Sequence, residues 1–169
     1  MKKKKSNIVL IGMPGAGKST VGVVLAKAMG LEFVDSDLII QKREKRLLQE
    51  IINEEGIDGF VEIENEVNAS IDIEDSVIAT GGSVVYGKEA MEHLREIATV
   101  VYIKLSYETI KMRLGNLQQR GVVLKESQTL KDLYDERCPL YEKYAHIIID
   151  AEDTNVQETM YKIKNVVRN

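Results

Sequence analysis

The sequence has little of what marks a secreted, nucleic-acid-binding or metal-cluster protein. Its 169 residues include one cysteine, two prolines and no tryptophan. The single Cys138 excludes an internal disulfide, and the cysteine and two histidines do not form a pattern with metal-ligand spacing. With 23 basic and 27 acidic residues, the net charge of −4 gives no support for binding nucleic acid or a membrane surface. We therefore expect no nucleic-acid partner.

Long apolar runs are also missing. No segment approaches the roughly 18–20 apolar residues of a membrane span. The basic run Lys2–Lys5 is not followed by the apolar segment that a signal peptide needs. We expect no membrane partner, a cytoplasmic location and a monomer.

Short apolar segments alternate with helical patterns, and the length suits one domain, residues 1–169. Five segments rich in β-branched residues predict strands: Asn7–Ile11, Glu32–Asp35, Ser76–Thr80, Thr99–Leu105 and His146–Asp150. Strands that alternate with helices indicate an α/β fold with a largely parallel sheet. Residues 115–128 are polar with little periodicity, which predicts a mobile loop.

A phosphate-binding loop is the strongest motif. Residues 12–20, GMPGAGKST, match G-x-x-x-x-G-K-[ST] between a predicted strand and a predicted helix. Glycines let successive backbone N–H groups face a phosphate, and the helix N-terminus adds its positive dipole end. The predicted nucleotide-binding residues are Gly12, Gly15, Ala16, Gly17, Lys18, Ser19 and Thr20. No guanine-reading N-K-x-D segment accompanies them, which favours a small-molecule or nucleotide kinase over a GTPase.

Two carboxylates follow the second predicted strand. The segment VDSD places Asp35 and Asp37 near the phosphate loop, because ligands of such folds bind beyond the carboxyl ends of the strands. One can hold Mg²⁺ or its water while the other accepts a proton from an attacking hydroxyl. The alternative is that Ser36 or Asp37 only caps the next helix.

The third predicted strand ends in ATGGS, residues 79–83. Its paired glycines, Gly81 and Gly82, permit either close backbone approach to a ligand or a tight turn.

Helical phase places two charged side chains on apolar faces. In Leu130–Tyr144 the apolar stripe includes Arg137, whose burial requires an anion, either a structural partner or a ligand. In the stretch GFVEIENE, Glu64 lies on the apolar stripe of its helix, whereas Glu62 and Glu66 lie off it. We therefore predict that Glu64 points inward and that the other two are solvated.

Taken together, the phosphate loop, D-x-D, GG and RCPLY (137–141) resemble the shikimate kinase family, from about residue 7 to residue 150. The resemblance implies a three-layer P-loop NTPase fold of the nucleoside-monophosphate-kinase-like type. Its five-stranded parallel sheet would carry helices on both faces, a mobile lid at about 115–128 and an acceptor-binding helical region at about 36–72. The implied activity is Mg-ATP-dependent phosphorylation of shikimate to shikimate 3-phosphate, in aromatic amino acid biosynthesis, with ADP as the other product.

The resemblance also implies roles for the nucleotide-side residues. Lys18 and Ser19 would serve ATP and Mg²⁺, with Asp35 helping to hold the metal. Arg113 would stack near adenine. Arg120 would neutralise the transferring phosphate and, with Lys18 and Asp37, make up the catalytic set.

On the acceptor side, the resemblance implies that Asp37 binds the reacting hydroxyl and favours its attack. The backbone of Gly81 and Gly82 would approach the acceptor, Arg137 would pair with its carboxylate, and Glu64 would complete the acceptor site.

Three positions depart from the family pattern. Val61 replaces the usual second arginine at the acceptor carboxylate, Ser83 the third glycine of GGG, and Gly121 the proline after the lid arginine. An alkyl group cannot replace a bidentate guanidinium, and its loss, at roughly 1.5–3 kcal/mol, would weaken shikimate binding by one to two orders of magnitude. The Val61 substitution also removes the expected partner of Glu64.

The departure at Val61 leaves two outcomes open. Arg43 or Arg46 replaces the missing contact, or the acceptor is a different small hydroxy acid or polyol. An ATP-binding module that has lost transfer is a third reading, and a nucleoside-monophosphate kinase is a weaker one because of the R-x-P-L-Y motif.

Overall fold

The computed structural model describes residues 5–115 and 127–168. Its centre is a five-stranded sheet with the order β2-β3-β1-β4-β5, in which every pair of neighbours is parallel. The strands are β1 (Asn7–Ile11), β2 (Glu32–Asp35), β3 (Ser76–Ala79), β4 (Ala98–Lys104) and β5 (Ile147–Asp150). The predicted α/β fold with a parallel sheet is confirmed. Arg120, Gly121 and all but the ends of the expected lid lie outside the described residues.

Seven helices are described between and after the strands. They are α1 (Lys18–Met29), α2 (Ser36–Glu44), α3 (Leu48–Ala69), α4 (Lys88–Ile97), α5 (Tyr107–Leu114), α6 (Leu130–Tyr144) and α7 (Val156–Val167). Several begin at a side chain that accepts a hydrogen bond from a first-turn amide, as Ser106, Thr129 and Asn155 do. Among the described residues, none of these helices is long and apolar enough to cross a membrane.

The central strand shows how the core is built. All five residues of β1 are buried, so both faces of the sheet are covered there. A separate small apolar cluster joins α2 to α3 through Ile40, Ile51, Phe60 and Val67. At Gly56 α3 is interrupted by a non-helical backbone with φ 75°, which glycine adopts without steric strain.

The register of the strands places the carboxyl ends of β1, β2 and β3 next to one another at one edge of the sheet. Ala79 of β3 lies opposite both Leu10 of β1 and Asp35 of β2. The chain therefore leaves these three strands side by side, and Thr80 donates from its hydroxyl to the Leu10 carbonyl at 2.8 Å. The phosphate loop, the start of α2 and the glycine pair all begin at this edge.

Candidate active site

A cleft of about 580 Å³ opens at that edge of the sheet. It lies between the phosphate loop, α2, α3, the loop after β3, and α6. The residues predicted from sequence that line it are Gly15, Gly17, Lys18, Ser19, Thr20, Asp37, Glu64, Gly81, Gly82 and Arg137. Segments from five parts of the chain thus meet in one cavity.

The phosphate loop holds its lysine under the loop backbone. Lys18 Nζ donates to the carbonyls of Gly12, at 2.6 Å, and Met13, at 2.8 Å. Gly15 and Gly17 have φ values of 81° and 88°, which keep the loop curled around this position. Burial lowers the pKa of Lys18 to about 8, against the opposing effect of nearby carboxylates. In the described part of the chain no carboxylate lies within 4.0 Å of Lys18, so this buried cation suits an anionic ligand.

The start of α1 presents backbone donors to the cleft. Its N-cap, Gly17, makes no side-chain cap bond, and the first turn contains no acidic residue. Free N–H groups and the helix dipole at such an end attract phosphate. Ser19 and Thr20 are exposed at this point, whereas Ala16 is buried beneath the loop.

Asp35 and Asp37 have different positions: Asp35 caps a helix, and Asp37 lines the cleft. Asp35 is the N-cap of α2, where its Oδ1 accepts from the Asp37 amide at 2.9 Å. The alternative that Ser36 or Asp37 caps this helix is therefore wrong. Asp35 does not line the cleft, but Asp37 does. Burial and the neighbouring Asp35 raise the pKa of Asp37 to about 6, while Lys18 acts in the opposite direction.

Glu64 reaches the cleft from the buried face of α3. Its side chain is 1% exposed, as the helical phase predicted, whereas Glu62 and Glu66 are exposed. Burial raises the pKa of Glu64 to about 7, partly offset by the hydrogen bond from Ser83. The inward orientation of Glu64 is confirmed.

Gly81 allows the two carboxylates to converge on the backbone. A Cβ at this position would lie 2.9 Å from Asp37 Oδ1 and 3.0 Å from Glu64 Oε2. A side chain here would displace one of these carboxylates, so glycine at position 81 preserves their arrangement.

Arg137 enters from α6 and is 3% exposed. Its Nε donates to the Tyr86 hydroxyl at 3.3 Å, and its guanidinium carbon lies 5.4 Å from the centre of the Tyr86 ring. Among residues 5–115 and 127–168, no carboxylate lies within 4.0 Å of its nitrogens. Of the two readings from sequence, this arrangement favours a ligand anion over a structural partner.

Gly82 is enclosed between Arg137 and the phosphate loop. A Cβ there would lie 2.9 Å from Arg137 Nη1 and 2.7 Å from Pro14 Cδ. The Gly82 carbonyl accepts a hydrogen bond from the Tyr141 hydroxyl at 2.6 Å. This backbone segment is therefore anchored next to the guanidinium.

Comparison with known proteins places the chain in one family. A family model described as shikimate kinase matches residues 14–168. The shikimate kinase of Marinomonas sp. (strain MWYL1) is 36% identical over 173 residues, covering 98% of this chain and 93% of the relative. The chain belongs to the shikimate kinase family.

Solved structures of the shikimate kinase family agree with this assignment. Shikimate kinase from Acinetobacter baumannii, described in complex with shikimate, superposes with a TM-score of 0.87 at 32% identity. The match covers 98% of this chain and 94% of that one. The enzyme from Aquifex aeolicus gives a TM-score of 0.81 at 29% identity, covering 96% of each chain. The P-loop kinase fold expected from the sequence is confirmed.

The resemblance leads us to expect an arginine where this chain has Val61, and the structure shows what surrounds that position. Val61 lines a second cavity of about 150 Å³, together with Arg137, Ser83 and Tyr86. Arg43 and Arg46 do not approach it. Arg43 pairs with Glu66, and Arg46 with carboxylates that include Glu54, at 2.7 Å. Neither arginine lines the cleft, so neither replaces the absent guanidinium in this structure.

Three contacts in this shikimate kinase site were not predicted from the sequence. Ser83 bonds Glu64, Tyr86 covers Arg137, and Tyr141 anchors Gly82. Ser83 was noted only as a difference from the GGG pattern and Tyr141 only as part of RCPLY, and Tyr86 had no signal. Arg113, expected near adenine, is exposed and donates to the Gly15 carbonyl at 3.2 Å.

Proposed function

We propose that the protein transfers the γ-phosphoryl group of ATP to a hydroxyl of shikimate, giving ADP and shikimate 3-phosphate. The observation that carries the proposal is that Arg137, a buried guanidinium without a carboxylate partner among the described residues, shares a cleft with Asp37 and the phosphate loop. A hydroxy acid needs both a cation for its carboxylate and a base for its hydroxyl. The relative from Acinetobacter baumannii, described in complex with shikimate, supports this choice of acceptor.

The nucleotide side fits ATP with Mg²⁺. Lys18 and the amides at the start of α1 would hold the phosphates, and Ser19 would hold the metal. Asp35 caps α2 and does not line the cleft, so it would help to hold the metal through a bound water. A bound Mg²⁺ would supply positive charge against the negative charge that develops on the transferring phosphate. Among the described residues, no group of three or more His, Cys, Asp or Glu side chains is arranged to hold a metal ion by itself. Mg²⁺ is commonly held by one or two carboxylates together with substrate phosphates and water, so the nucleotide would supply part of its ligand set.

Asp37 is the residue we assign to the acceptor hydroxyl. Its carboxylate lines the cleft, and its pKa of about 6 makes it a stronger proton acceptor than an ordinary aspartate while leaving it mostly ionised at neutral pH. The hydroxyl oxygen bonds to the γ-phosphorus, its proton passes to Asp37, and the bond to the β–γ bridging oxygen breaks. Catalysis otherwise depends on positioning and charge neutralisation.

The remaining residues would orient the two substrates. Arg137 would bind the acceptor carboxylate, with Gly81 and Gly82 close to its ring and Glu64 beside Asp37. Arg113 would lie near adenine. Arg120 would neutralise the transferring phosphate from its position outside the described residues.

A second candidate is a kinase of a different small hydroxy acid or polyol. The observation that favours it is Val61, which leaves Arg137 as the only arginine lining the cleft among the described residues. An ATP-binding module without transfer is less well supported, because a binder has no need for a buried carboxylate such as Asp37 next to its phosphate loop.

Coupled measurement of ADP release tests these candidates. Purified protein would be mixed with ATP, Mg²⁺ and a panel of hydroxy acids and polyols that includes shikimate. We expect release that depends on shikimate and saturates with its concentration. Turnover with another acceptor alone would favour the second candidate, and ATP binding without any turnover would favour the binding module.

A further inference from the structure

Glu64 is a buried carboxylate with an unusual set of partners. In the described part of the chain, no lysine or arginine nitrogen lies within 4.0 Å of it. Its Oε1 accepts a hydrogen bond from Ser83 Oγ at 2.6 Å. Its Oε2 is buried beside Gly81 and has no hydrogen-bond partner among the described residues. A buried acceptor without a partner is costly, so Oε2 is suited to a donor from the ligand.

Ser83 reaches Glu64 from a different part of the fold. It follows the glycine pair after β3 and precedes the short 3₁₀ turn Val84–Tyr86. Its side chain is buried, at 5% exposed, and it lines both the main cleft and the 150 Å³ cavity. The hydrogen bond therefore ties α3 to the loop that shapes the acceptor end.

Two departures from the family pattern meet at this point. Val61 lies one helical turn before Glu64 and has no hydrogen-bond donor in its side chain, and it lines the same small cavity as Ser83. Ser83 supplies the only protein hydrogen bond that Glu64 receives on its carboxylate within the described residues. A serine hydroxyl therefore donates to a carboxylate that has no cation within 4.0 Å among the described residues.

We propose that Ser83 is a positioning residue for acceptor recognition: by donating to Glu64 Oε1 it orients this carboxylate so that Oε2 meets a hydroxyl of the acceptor beside Asp37. The proposal rests on the proposed function and deepens it. Ser83 would hold the Glu64 carboxylate in place by a hydrogen bond, since no cation lies within 4.0 Å of this carboxylate among the described residues. The hydrogen bond also favours the ionised form of Glu64, which is the form that accepts.

Steady-state kinetics of Ser83→Ala test the proposal. We expect the KM for shikimate to rise about tenfold, because a hydrogen bond to a charged group is lost, while the KM for ATP changes less than about twofold. The matched control is Ser76→Ala. Ser76 is equally buried, donates its hydroxyl to the Glu74 carbonyl at 2.9 Å, and lies at the opposite end of β3. An unchanged shikimate KM, or equal rises for both substrates, would overturn the proposal.

A double-mutant cycle with Val61→Arg separates positioning from general structure. A guanidinium one turn before Glu64 would give this carboxylate a new partner, so Ser83→Ala in that background should raise the shikimate KM by less than about threefold. Equal effects in both backgrounds would mean that the serine and position 61 act independently. That result would contradict the proposal.

Titration of the Glu64 carboxyl does not require enzyme turnover, so it tests the role of Ser83 independently of the proposed function. Carbon-13 NMR of the Glu64 carboxyl should show its pKa rising by about one unit in Ser83→Ala, because the lost hydrogen bond stabilised the ionised form. Should wild-type protein fail to phosphorylate shikimate, the proposed function fails and this titration still decides the role of Ser83. A Glu64 pKa that does not move would overturn it.

Discussion

The two ends of the cleft are built in different ways. At the phosphate end, one continuous segment, residues 12–20, supplies backbone donors and a single lysine to the cleft. The acceptor end combines side chains from α2, α3, the loop after β3, and α6, and two of its positions, Val61 and Ser83, differ from the residues that the resemblance leads us to expect. A site made from contiguous backbone tolerates little change. A site assembled from separate side chains can exchange one contact for another, which is what we propose for Ser83 and Glu64.

The largest effect should come from the phosphate end, through Lys18→Ala. We expect kcat to fall by about 10²–10³-fold with any acceptor, because this change removes a preorganised cation from the transferring phosphate. The control is Lys27→Ala, in an exposed position on the last turn of the same helix. If Lys18→Ala raised only the KM for shikimate and left kcat unchanged, the two ends of the cleft would not have the separate functions that we describe.

At the boundary between the ends, Asp37→Asn should lower kcat by about 10²-fold. Only the ionised carboxylate accepts a proton, so the wild-type rate should fall as pH drops below about 6, and the variant should lack this inflection. A pH–rate profile measures both. Asp72→Asn, at an exposed site, should behave like the wild type. Near-normal turnover of the Asp37 variant would remove this residue from the chemistry.

The sequence predicts features that depend on local patterns better than contacts between residues that are distant in the chain. Strand limits agree with the structure to within one residue, because β-branched apolar runs are local signals. Helical phase predicted the burial of Arg137 and Glu64, since apolar stripes report which face is covered. The Ser83–Glu64 bond could not be predicted because it joins residues 19 positions apart in different elements. The interruption of α3 at Gly56 could not be predicted either, because glycine is compatible with many backbone conformations.

Burying the ionised Glu64 carboxylate at the acceptor end should lower the unfolding free energy, and Glu64→Gln tests this. The pKa of Glu64 is raised from 4.5 to about 7, so the folded state binds its proton more tightly than the unfolded chain does. That stabilisation is complete below pH 4.5 and is lost as pH rises through about 7.

The glutamine variant does not titrate and should gain on the order of 2 kcal/mol in unfolding free energy, relative to wild type, between pH 5 and pH 8. Urea unfolding at the two pH values measures this. Glu62→Gln, at an exposed position on the same helix, is the control. A difference that stays constant with pH would show that Glu64 has an ordinary pKa.

The smallest of these effects should come from restoring the family's guanidinium. Val61→Arg should lower the KM for shikimate about tenfold by adding a charge-assisted contact to the acceptor carboxylate. Val61→Met, which fills space without charge, should not. If the arginine variant has an unchanged or higher KM, the acceptor carboxylate does not approach position 61.

The central claim is that an altered acceptor end still serves shikimate. Phosphorus-31 NMR of wild-type protein with ATP, Mg²⁺ and shikimate as the sole acceptor tests it most directly. We predict a phosphomonoester signal that grows as ATP is consumed and is absent without shikimate. ATP consumption that yields only inorganic phosphate, or no consumption at all, would contradict the account.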